Sequence, residues 1–306
     1  MSEELYKKHR PTNFKQIIGQ QEAIRTLTEM GKNGSIPHTI LLSGPSGCGK
    51  TTIARILKTK LKCSDNDFYE INAADSRGID TVRDIRQRMF LAPIGGECRI
   101  WLVDESHQLT SQAQQSFLKI LEDTPKHVYF FLASTEPNKL LKTIITRSTE
   151  IKLRELTEKE LVELVNRTVK DEDKKISEDI VKKMADLADG SARKALVLLH
   201  QIISVDNKEQ QSEILQKADI KRQAIEICRA LMNEKTTWKQ MAEILKNVDD
   251  EPEQIRWLVL SYFSKVAMGK PDRSCMIIEE FEEPFFNSKK AGLIRACYRI
   301  IGGNNS

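Results

Sequence analysis

The sequence predicts an α/β chain, with a parallel, doubly wound sheet in its first half and helices alone in its second. Three observations predict it. Short apolar runs of β propensity alternate with segments of helical spacing as far as Ile151-Lys152-Leu153, the pattern of strand–helix–strand units. Between the first such run and the helix after it lies Gly44-Pro45-Ser46-Gly47-Cys48-Gly49-Lys50-Thr51, which fits the phosphate-binding pattern G-x-x-x-x-G-K-[ST] in the strand-to-helix setting that supports it. From Thr157 onward no strand signal appears.

In order, Leu5-Tyr6-Lys7-Lys8-His9-Arg10-Pro11 is a polar lead-in. Ile17-Ile18-Gly19-Gln20-Gln21 opens a helix through Met30, and Gly31 to Pro37 is a loop. Thr39-Ile40-Leu41-Leu42 is the first strand, and the segment from Thr52 to Lys58 has helical spacing. Phe68-Tyr69-Glu70-Ile71 is a second strand ending at Asn72. Thr81 to Phe90 reads as a helix with Val82, Ile85 and Met89 on its apolar face. Arg99 to Val103 is a third strand, closed by Asp104-Glu105. Ser111-Gln112-Ala113-Gln114 has the form of a capping box and opens a helix to Asp123, stopped before Pro125. Val128 to Leu132 reads as a buried strand and Ile151 to Leu153 as a last short one. Thr157-Glu158-Lys159-Glu160 is a further capping box, followed by helices near 158–170, 177–188 and 191–204. The polar stretch from Val205 to Lys217 reads as a linker. Residues 221–306 are helical again, with Trp238, Trp257, Tyr262 and Phe263 as expected core. The expected domains are therefore 1–156, 157–217 and 218–306.

The chain has 306 residues, enough for two or three domains, and 40% hydrophobic content allows a sizeable core. Charged residues make up 30% but balance to a net charge of +4. Any nucleic-acid contact should then be a local patch rather than a general basic character. The cysteines Cys48, Cys63, Cys98, Cys228, Cys275 and Cys297 are scattered without a C-x-x-C pair, which favours neither a disulfide framework nor a zinc site. No signal peptide or membrane-length apolar run is present. The expectation is a soluble, intracellular, cytoplasmic protein with no membrane partner.

The phosphate loop carries the first chemistry. Its glycines let successive N–H groups turn toward one anion, and the following helix adds its positive end. Lys50 would reach the β and γ phosphates, and the Thr51 hydroxyl would be a magnesium ligand. The expected nucleotide-binding set is Gly44, Pro45, Ser46, Gly47, Cys48, Gly49, Lys50, Thr51 and Thr52. A glycine turn matching by accident is the competing reading, and the flanking strand and helix weigh against it. Asp104-Glu105, at the end of an apolar strand, supplies the second half. Asp104 would hold magnesium, and Glu105 would orient or deprotonate the attacking water. A carboxylate pair at a strand end is also compatible with a solvated turn, but parallel strands converge the two elements at one sheet edge.

Further residues carry a family resemblance. Leu5 to Pro11 with Ile18-Gly19-Gln20 resembles the adenine-side segment of clamp-loader ATPases of the AAA+ class, with His9 where tyrosine is common. Glu70-Ile71-Asn72-Ala73-Ala74-Asp75-Ser76-Arg77-Gly78-Ile79-Asp80 resembles a signature of replication factor C small subunits. Asp104-Glu105-Ser106-His107-Gln108-Leu109-Thr110 resembles the family's second nucleotide motif, and His107 is similar to the bacterial branch, the polymerase III gamma/tau subunits. Phe281 to Phe285 through Lys290 to Leu293 resembles the gamma/tau collar, although the zinc-binding cysteine cluster of that subunit is absent.

The resemblance implies an AAA+ P-loop NTPase sheet followed by a helical lid and an all-helical collar. It implies Tyr6, Arg10, Pro11 and Ile18 on the adenine side, Thr135 as the first sensor of the γ phosphate, and Arg193 as a second sensor reaching from the lid. Asn72 would hold Glu105 in an inactive pose until DNA binds. Arg147, in Thr146-Arg147-Ser148, stands where the family has an arginine finger for a neighbouring subunit, though both flanking residues depart from the family's Ser-Arg-Cys. Ordinary strand-end or surface roles are the competing readings for Thr135, Arg193 and Arg147. Arg77, Arg83 and Arg86 would meet DNA phosphates, against the alternative of a solvated basic face. The family docks its sliding clamp near Met89-Phe90-Leu91-Ala92-Pro93, where core packing is expected to take at least half of the side chains.

The implied function is an ATP- and magnesium-dependent subunit of a DNA sliding-clamp loader. Its implied partners are the clamp, primer-template DNA and other loader subunits, in a pentamer with a distinct large subunit. The rival readings are a branch-migration motor, a helicase loader, or a scaffold subunit without hydrolysis. The retained Lys50, Thr51, Asp104 and Glu105 argue against the last.

Overall fold

A computed structural model describes residues 3–248 and 252–302. Residues 249–251 and 303–306, within the stretch expected to be helical, lie outside the described residues. The chain forms two compact units divided between Ser204 and Val205.

The first unit contains α1 (Leu5–Lys8), α2 (Gln21–Lys32), β1 (Thr39–Ser43), α3 (Lys50–Lys60), β2 (Phe68–Asn72), α4 (Ile79–Arg88), β3 (Arg99–Asp104), α5 (Ser111–Glu122), β4 (Val128–Ser134), α6 (Lys142–Thr146), β5 (Thr149–Lys152), α7 (Glu158–Asp171), α8 (Glu178–Leu187) and α9 (Ala192–Ile202). The strands pair in parallel in the order β2-β3-β4-β1-β5. Side chains alternate between the sheet faces. Ile40, Leu42, Leu102 and Phe131 therefore pack against α3 residues such as Ile53 and Leu57. Leu41, Trp101, Val103 and Phe130 pack on the other side, with Val82 and Ile85 of α4 and Phe117 of α5. Burying each such side chain contributes roughly 1.5–3 kcal/mol. The register sets Asn72 beside Asp104 and Ser43 beside Ser134, so the loops after four strands open along one edge.

Local chemistry sets the element ends. Thr157 and Glu160 form the expected capping box at the start of α7. At α5 the cap lies one residue earlier than expected: the Thr110 hydroxyl, not Ser111, accepts from the Ala113 N–H. The five-residue helix α6 gave no sequence signal, because so short a helix spans barely more than one turn.

The second unit contains α10 (Lys208–Met232), α11 (Trp238–Lys246), α12 (Pro252–Val266), α13 (Pro271–Glu280) and α14 (Lys289–Gly302). Its core includes Ile227, Leu231, Ile255, Val259, Phe263, Ile277, Phe281 and Leu293. Two expectations change here. Residues 208–217, read as linker, are the start of α10, and the boundary expected after Lys217 lies inside this continuous helix. Their polar composition follows from burial, since Gln211 and Leu215 are the buried side chains in that stretch. Trp257 and Tyr262 are exposed, at 61% and 42%, rather than core. Ile255, Val259 and Phe263 form the buried stripe at helical spacing, and Trp257 and Tyr262 fall off it. Trp257 instead lies under the Arg256 guanidinium, 4.7 Å from its ring centroid. Trp238 is partly buried against the core and meets Tyr298 edge-on. Phe263 is fully buried, as expected.

Candidate functional site

The phosphate loop bridges β1 and α3 by conformations that need glycine. Gly44 has φ +147°, and a Cβ there would lie 2.3 Å from the Leu153 carbonyl oxygen. Gly47 has φ +78°, and a Cβ would lie 2.1 Å from Ser191 Oγ, the N-cap of α9. The loop is thus pressed against the helix that carries Arg193. Lys50 is buried at 6% exposure, and its ammonium donates to the carbonyls of Gly44 and Pro45, each at 2.8 Å. Two of its three donors rest on neutral acceptors, so the charge has no counter-ion in these bonds.

The strand ends complete the site. Thr51 Oγ1 donates to Asp104 Oδ2 at 3.1 Å, across the gap between α3 and β3. These oxygen donors suit Mg²⁺, a hard cation that favours carboxylate and hydroxyl ligands. Glu105 has φ +49°, a left-handed conformation uncommon for a residue with a Cβ. It turns the carboxylate back over the strand end, where Oε2 accepts from Thr135 Oγ1 at 3.1 Å. The Glu105 N–H donates to Asp104 Oδ1 at 2.9 Å, tying the two carboxylate residues together.

One cavity collects these groups. Ser46, Gly47, Cys48, Gly49, Lys50, Thr51, Thr52, Asp104 and Glu105 line it from the sheet side, with Tyr6, Arg10, Pro11 and Ile18 from the N-terminal segment and Arg193 from α9. The Arg193 guanidinium lies 5.7 Å from the Tyr6 ring centroid. Burial, then repulsion from Arg55, lowers the Arg10 pKa, with Glu70 acting in the opposite direction and Arg193 adding to the repulsion. A recess lined by several cations and one strand-end carboxylate pair fits a polyanion carrying its own metal. Burial raises the Cys48 thiol above its ordinary value, which keeps it neutral in the loop. Gly44 and Pro45 are outside this lining and, with Thr135, line a second cavity.

Sequence reading missed other wall residues. Ile17, Leu156, Leu164 and Leu196 give the cavity apolar sides, and His9 and Arg167 give it polar ones. Leu164 with Arg167 and Arg193 with Leu196 are spaced for one helical face each. That spacing is also the signature of a packed core, so it could not mark a pocket. His9 is held by Glu172 at the C-cap of α7, with Nε2 and Oε1 2.5 Å apart, and Lys8 donates to the same carboxylate.

Three expectations need correction or placement. Asn72 does not hold Glu105: its Nδ2 donates to Asp75 and its Oδ1 accepts from the Ala74 N–H. Thr135 holds Glu105 instead. Arg147 stands outside the cavity, half-exposed, paired with Glu122 at 2.7 Å. Most of the run from Met89 to Pro93 is not core. Met89 is fully buried, but Phe90 and Leu91 are 59% and 57% exposed, and nearby Ile94 is 74% exposed.

Arg77, Arg83 and Arg86 are exposed, on and before α4. Arg83 is engaged by Asp80 at 2.9 Å. The Thr110 N–H donates to the Arg77 carbonyl at 3.0 Å, which places the N-terminal ends of α4 and α5 side by side. Among the described residues, no helix is long and apolar enough to cross a membrane.

Topology, loop and lid together define the class: this is an AAA+ P-loop NTPase fold. Solved structures of the RuvB Holliday junction branch migration motor of Thermotoga maritima share it, one with a TM-score of 0.56 at 22% identity, covering 72% of this chain and 80% of that one. The family model described as DNA polymerase III, delta subunit, matches residues 64–157, and that of the sigma-54 interaction domain matches residues 17–79.

By sequence the chain is similar to bacterial DNA polymerase III gamma and tau subunits. It is 34% identical to subunit tau of Bacillus subtilis over 65% of this chain and 39% of that protein. It is 32% identical to subunit gamma/tau of Mycobacterium tuberculosis, also over 65% and 39%. To subunit gamma of Buchnera aphidicola from Schizaphis graminum it is 33% identical, over 64% of this chain and 60% of that one. The chain thus spans about two fifths of the length of the first of these relatives.

Proposed function

We propose that the chain is an ATP-hydrolysing subunit of a loader that opens a DNA sliding clamp and places it on primer-template DNA. The observation that carries this reading is the single cavity in which Lys50, Thr51, Asp104, Glu105 and the lid residue Arg193 meet, in a chain related to polymerase III gamma and tau subunits. Bound ATP with Mg²⁺ would supply the transferable γ-phosphoryl group. Thr51 and Asp104 would hold the metal, which would neutralise charge on the phosphates. Lys50 leaves its carbonyl partners to neutralise phosphate oxygens, and Arg193 adds charge from the lid. Glu105 orients the attacking water and accepts its proton, while Thr135 fixes the carboxylate. Tyr6, Arg10, Pro11 and Ile18 close over the base. Residues 1–156 act as the base, the helices from 157 as the lid, and the helices of the second unit as the collar.

Partners follow from the surface. The exposed Phe90, Leu91 and Ile94 suit the clamp, and the exposed Arg77, Arg83 and Arg86, before and along α4, suit DNA phosphates. Arg147 serves a neighbouring subunit's nucleotide, within a pentamer that includes a distinct large subunit. The likeness to a branch-migration motor, at 22% identity, is one of fold.

The test is ATP turnover by the chain alone, with primer-template DNA, and in assemblies with its clamp and partner subunits. Stimulation by DNA and clamp together is expected. Tight ATP binding with no turnover in any assembly would instead establish a scaffold subunit, and stimulation by four-way junctions alone would favour branch migration.

A further inference from the structure

His107 is buried, its side chain 3% exposed, on the turn that follows the Asp104-Glu105 pair. Nothing in phosphate binding uses it. Its two ring nitrogens nevertheless face two carboxylates. Nδ1 lies 3.4 Å from Glu105 Oε2, the oxygen that also accepts from Thr135. Nε2 lies 3.5 Å from Glu136 Oε1 and 3.1 Å from Gln108 Nε2. Nδ1 is also 3.2 Å from Ser134 Oγ, which itself accepts from the Glu136 N–H. One imidazole therefore joins the water-activating carboxylate to Ser134 and Glu136, which flank the sensor Thr135.

We propose that His107 is a positioning residue for Glu105, holding the carboxylate through an Nδ1–H donor and tying its pose to the Ser134-Thr135-Glu136 turn. This rests on the ATP-hydrolysis reading above.

The donor chemistry supports it. Gln108 presents its amide nitrogen to Nε2 at 3.1 Å, nearer than the Glu136 carboxylate at 3.5 Å, and a donor there makes Nε2 the acceptor and leaves the proton on Nδ1. The acceptors facing Nδ1 are then Glu105 Oε2 and Ser134 Oγ, and the charged one makes the stronger bond. In the structure the Nδ1 hydrogen bond runs to Ser134 Oγ at 3.2 Å, and Glu105 Oε2 stands just beyond it at 3.4 Å, so a small approach brings the carboxylate within hydrogen-bond reach. The carboxylate needs such an anchor. Glu105 starts from a left-handed backbone, and a hydroxyl alone leaves it free to swing about the Thr135 contact. The coupling has a direction as well. A shift of the turn after β4 on contact with a γ phosphate would move Ser134 and Glu136, and through His107 it would move Glu105.

Two measurements test this. The first compares H107N, H107Q and H107L in the assembled loader. Asparagine places an amide donor where Nδ1 was, glutamine reaches toward the Nε2 side, and leucine offers no donor. H107L and H107Q should lose kcat by about tenfold, a fraction of what a general base contributes, with KM and binding of a non-hydrolysable ATP analogue unchanged. H107N should stay within about threefold of the parent, as expected when the lost group is replaced by an equivalent donor. Should H107L fail to fold, the contrast between H107Q and H107N decides. Parent kcat in H107L or H107Q, or an H107N loss as large as theirs, would overturn the proposal.

The second is the ¹⁵N shift of the His107 ring in the unliganded chain, which reads the proton position without any turnover. A proton on Nδ1 is expected, and a ring protonated on Nε2 alone overturns the proposal. No turnover in any parent assembly would bring down the functional reading instead, while the ring spectrum, compared between the parent and Glu105→Gln, still reports whether Nδ1–H faces the Glu105 carboxylate.

Discussion

Thr135 Oγ1 donates to Glu105 Oε2 over 3.1 Å, so the residue after β4 holds the residue after β3. The two strands are neighbours in parallel register, which makes the contact a property of the sheet rather than of either loop. Removing the donor without changing shape should loosen the carboxylate and leave nucleotide binding intact. Thr135→Val should lower kcat by about tenfold with little change in KM, and Glu105→Gln should bind ATP and hydrolyse almost none. Steady-state turnover with a parallel binding assay checks both. Parent-rate hydrolysis by Glu105→Gln would mean that another group orients the water.

Arg147 pairs with Glu122 on the surface and does not reach its own cavity. The role proposed for it is in a neighbour's site, against that of an ordinary surface charge. Arginine fingers contribute about 10³- to 10⁵-fold in rate. Arg147→Ala should bind ATP normally and hydrolyse poorly. Assemblies mixing Arg147→Ala with Lys50→Ala subunits should recover part of the turnover, because an intact finger then meets an intact site. Mixed assemblies that form but stay as inactive as both parents would end the trans assignment.

Arg77 lies by the adjacent N-terminal ends of α4 and α5, Arg83 lies midway along α4 and Arg86 in its last turn. Contacts of this kind go to phosphates and carry no base information. Reversing the three charges should weaken DNA binding equally for all sequences and flatten the salt dependence by about 0.9 of a slope unit per lost phosphate contact. Basal ATP turnover should survive. Unchanged DNA-stimulated turnover across a salt titration would remove these residues from the interface.

Asp67 and Arg99 form a fully buried pair that pins the loop bearing Phe90, Leu91 and Ile94. Asp67 accepts from Ser64 and from the Ile94 and Gly95 N–H groups, and Arg99 donates to the Arg88 and Ala92 carbonyls. Burial by itself would raise the Asp67 pKa, but the hydrogen bonds from Ser64, Gly95 and Ile94 and the Arg99 charge bring it down to about 2, from an ordinary value of 3.8. A carboxyl lowered on folding stabilises the fold above its unfolded pKa, and that stability is lost as pH falls through the folded one. Asp67→Asn should therefore destabilise the chain near neutral pH by about 3 kcal/mol, because it leaves Arg99 buried without its counter-charge. The gap from the parent should close between pH 4 and pH 2, the window these two pKa values span. Denaturant melts across pH 2–7 read this out. A gap that persists at pH 2, or none at pH 7, would show that the pair is not what holds the loop.

Most of the nucleotide site was legible along the chain. The phosphate loop is contiguous, and its glycines, lysine and threonine occur at fixed offsets because one anion must be wrapped by one turn. Asp104-Glu105 could be read for a similar reason, as a polar pair ending an apolar strand. Asn72 was misassigned because a strand-end amide offers several partners, and the nearest proved to be Asp75 and the Ala74 N–H in its own turn. Trp257 was misplaced because a large aromatic reads as core, whereas the neighbouring Arg256 takes the buried position with Glu253 and two carbonyls.

The sequence by itself determined the parallel sheet, the phosphate loop and the strand-end carboxylates, since each is a local pattern whose periodicity or spacing is its own physical requirement. Tertiary structure alone decided which distant side chains share the cavity. Leu164, Arg167 and Leu196 reach it only because α7 and α9 fold back over the loop, and Thr135 meets Glu105 only because β3 and β4 lie side by side. Such contacts join residues about 30 or more positions apart, and no spacing along the chain encodes the closure that brings them together.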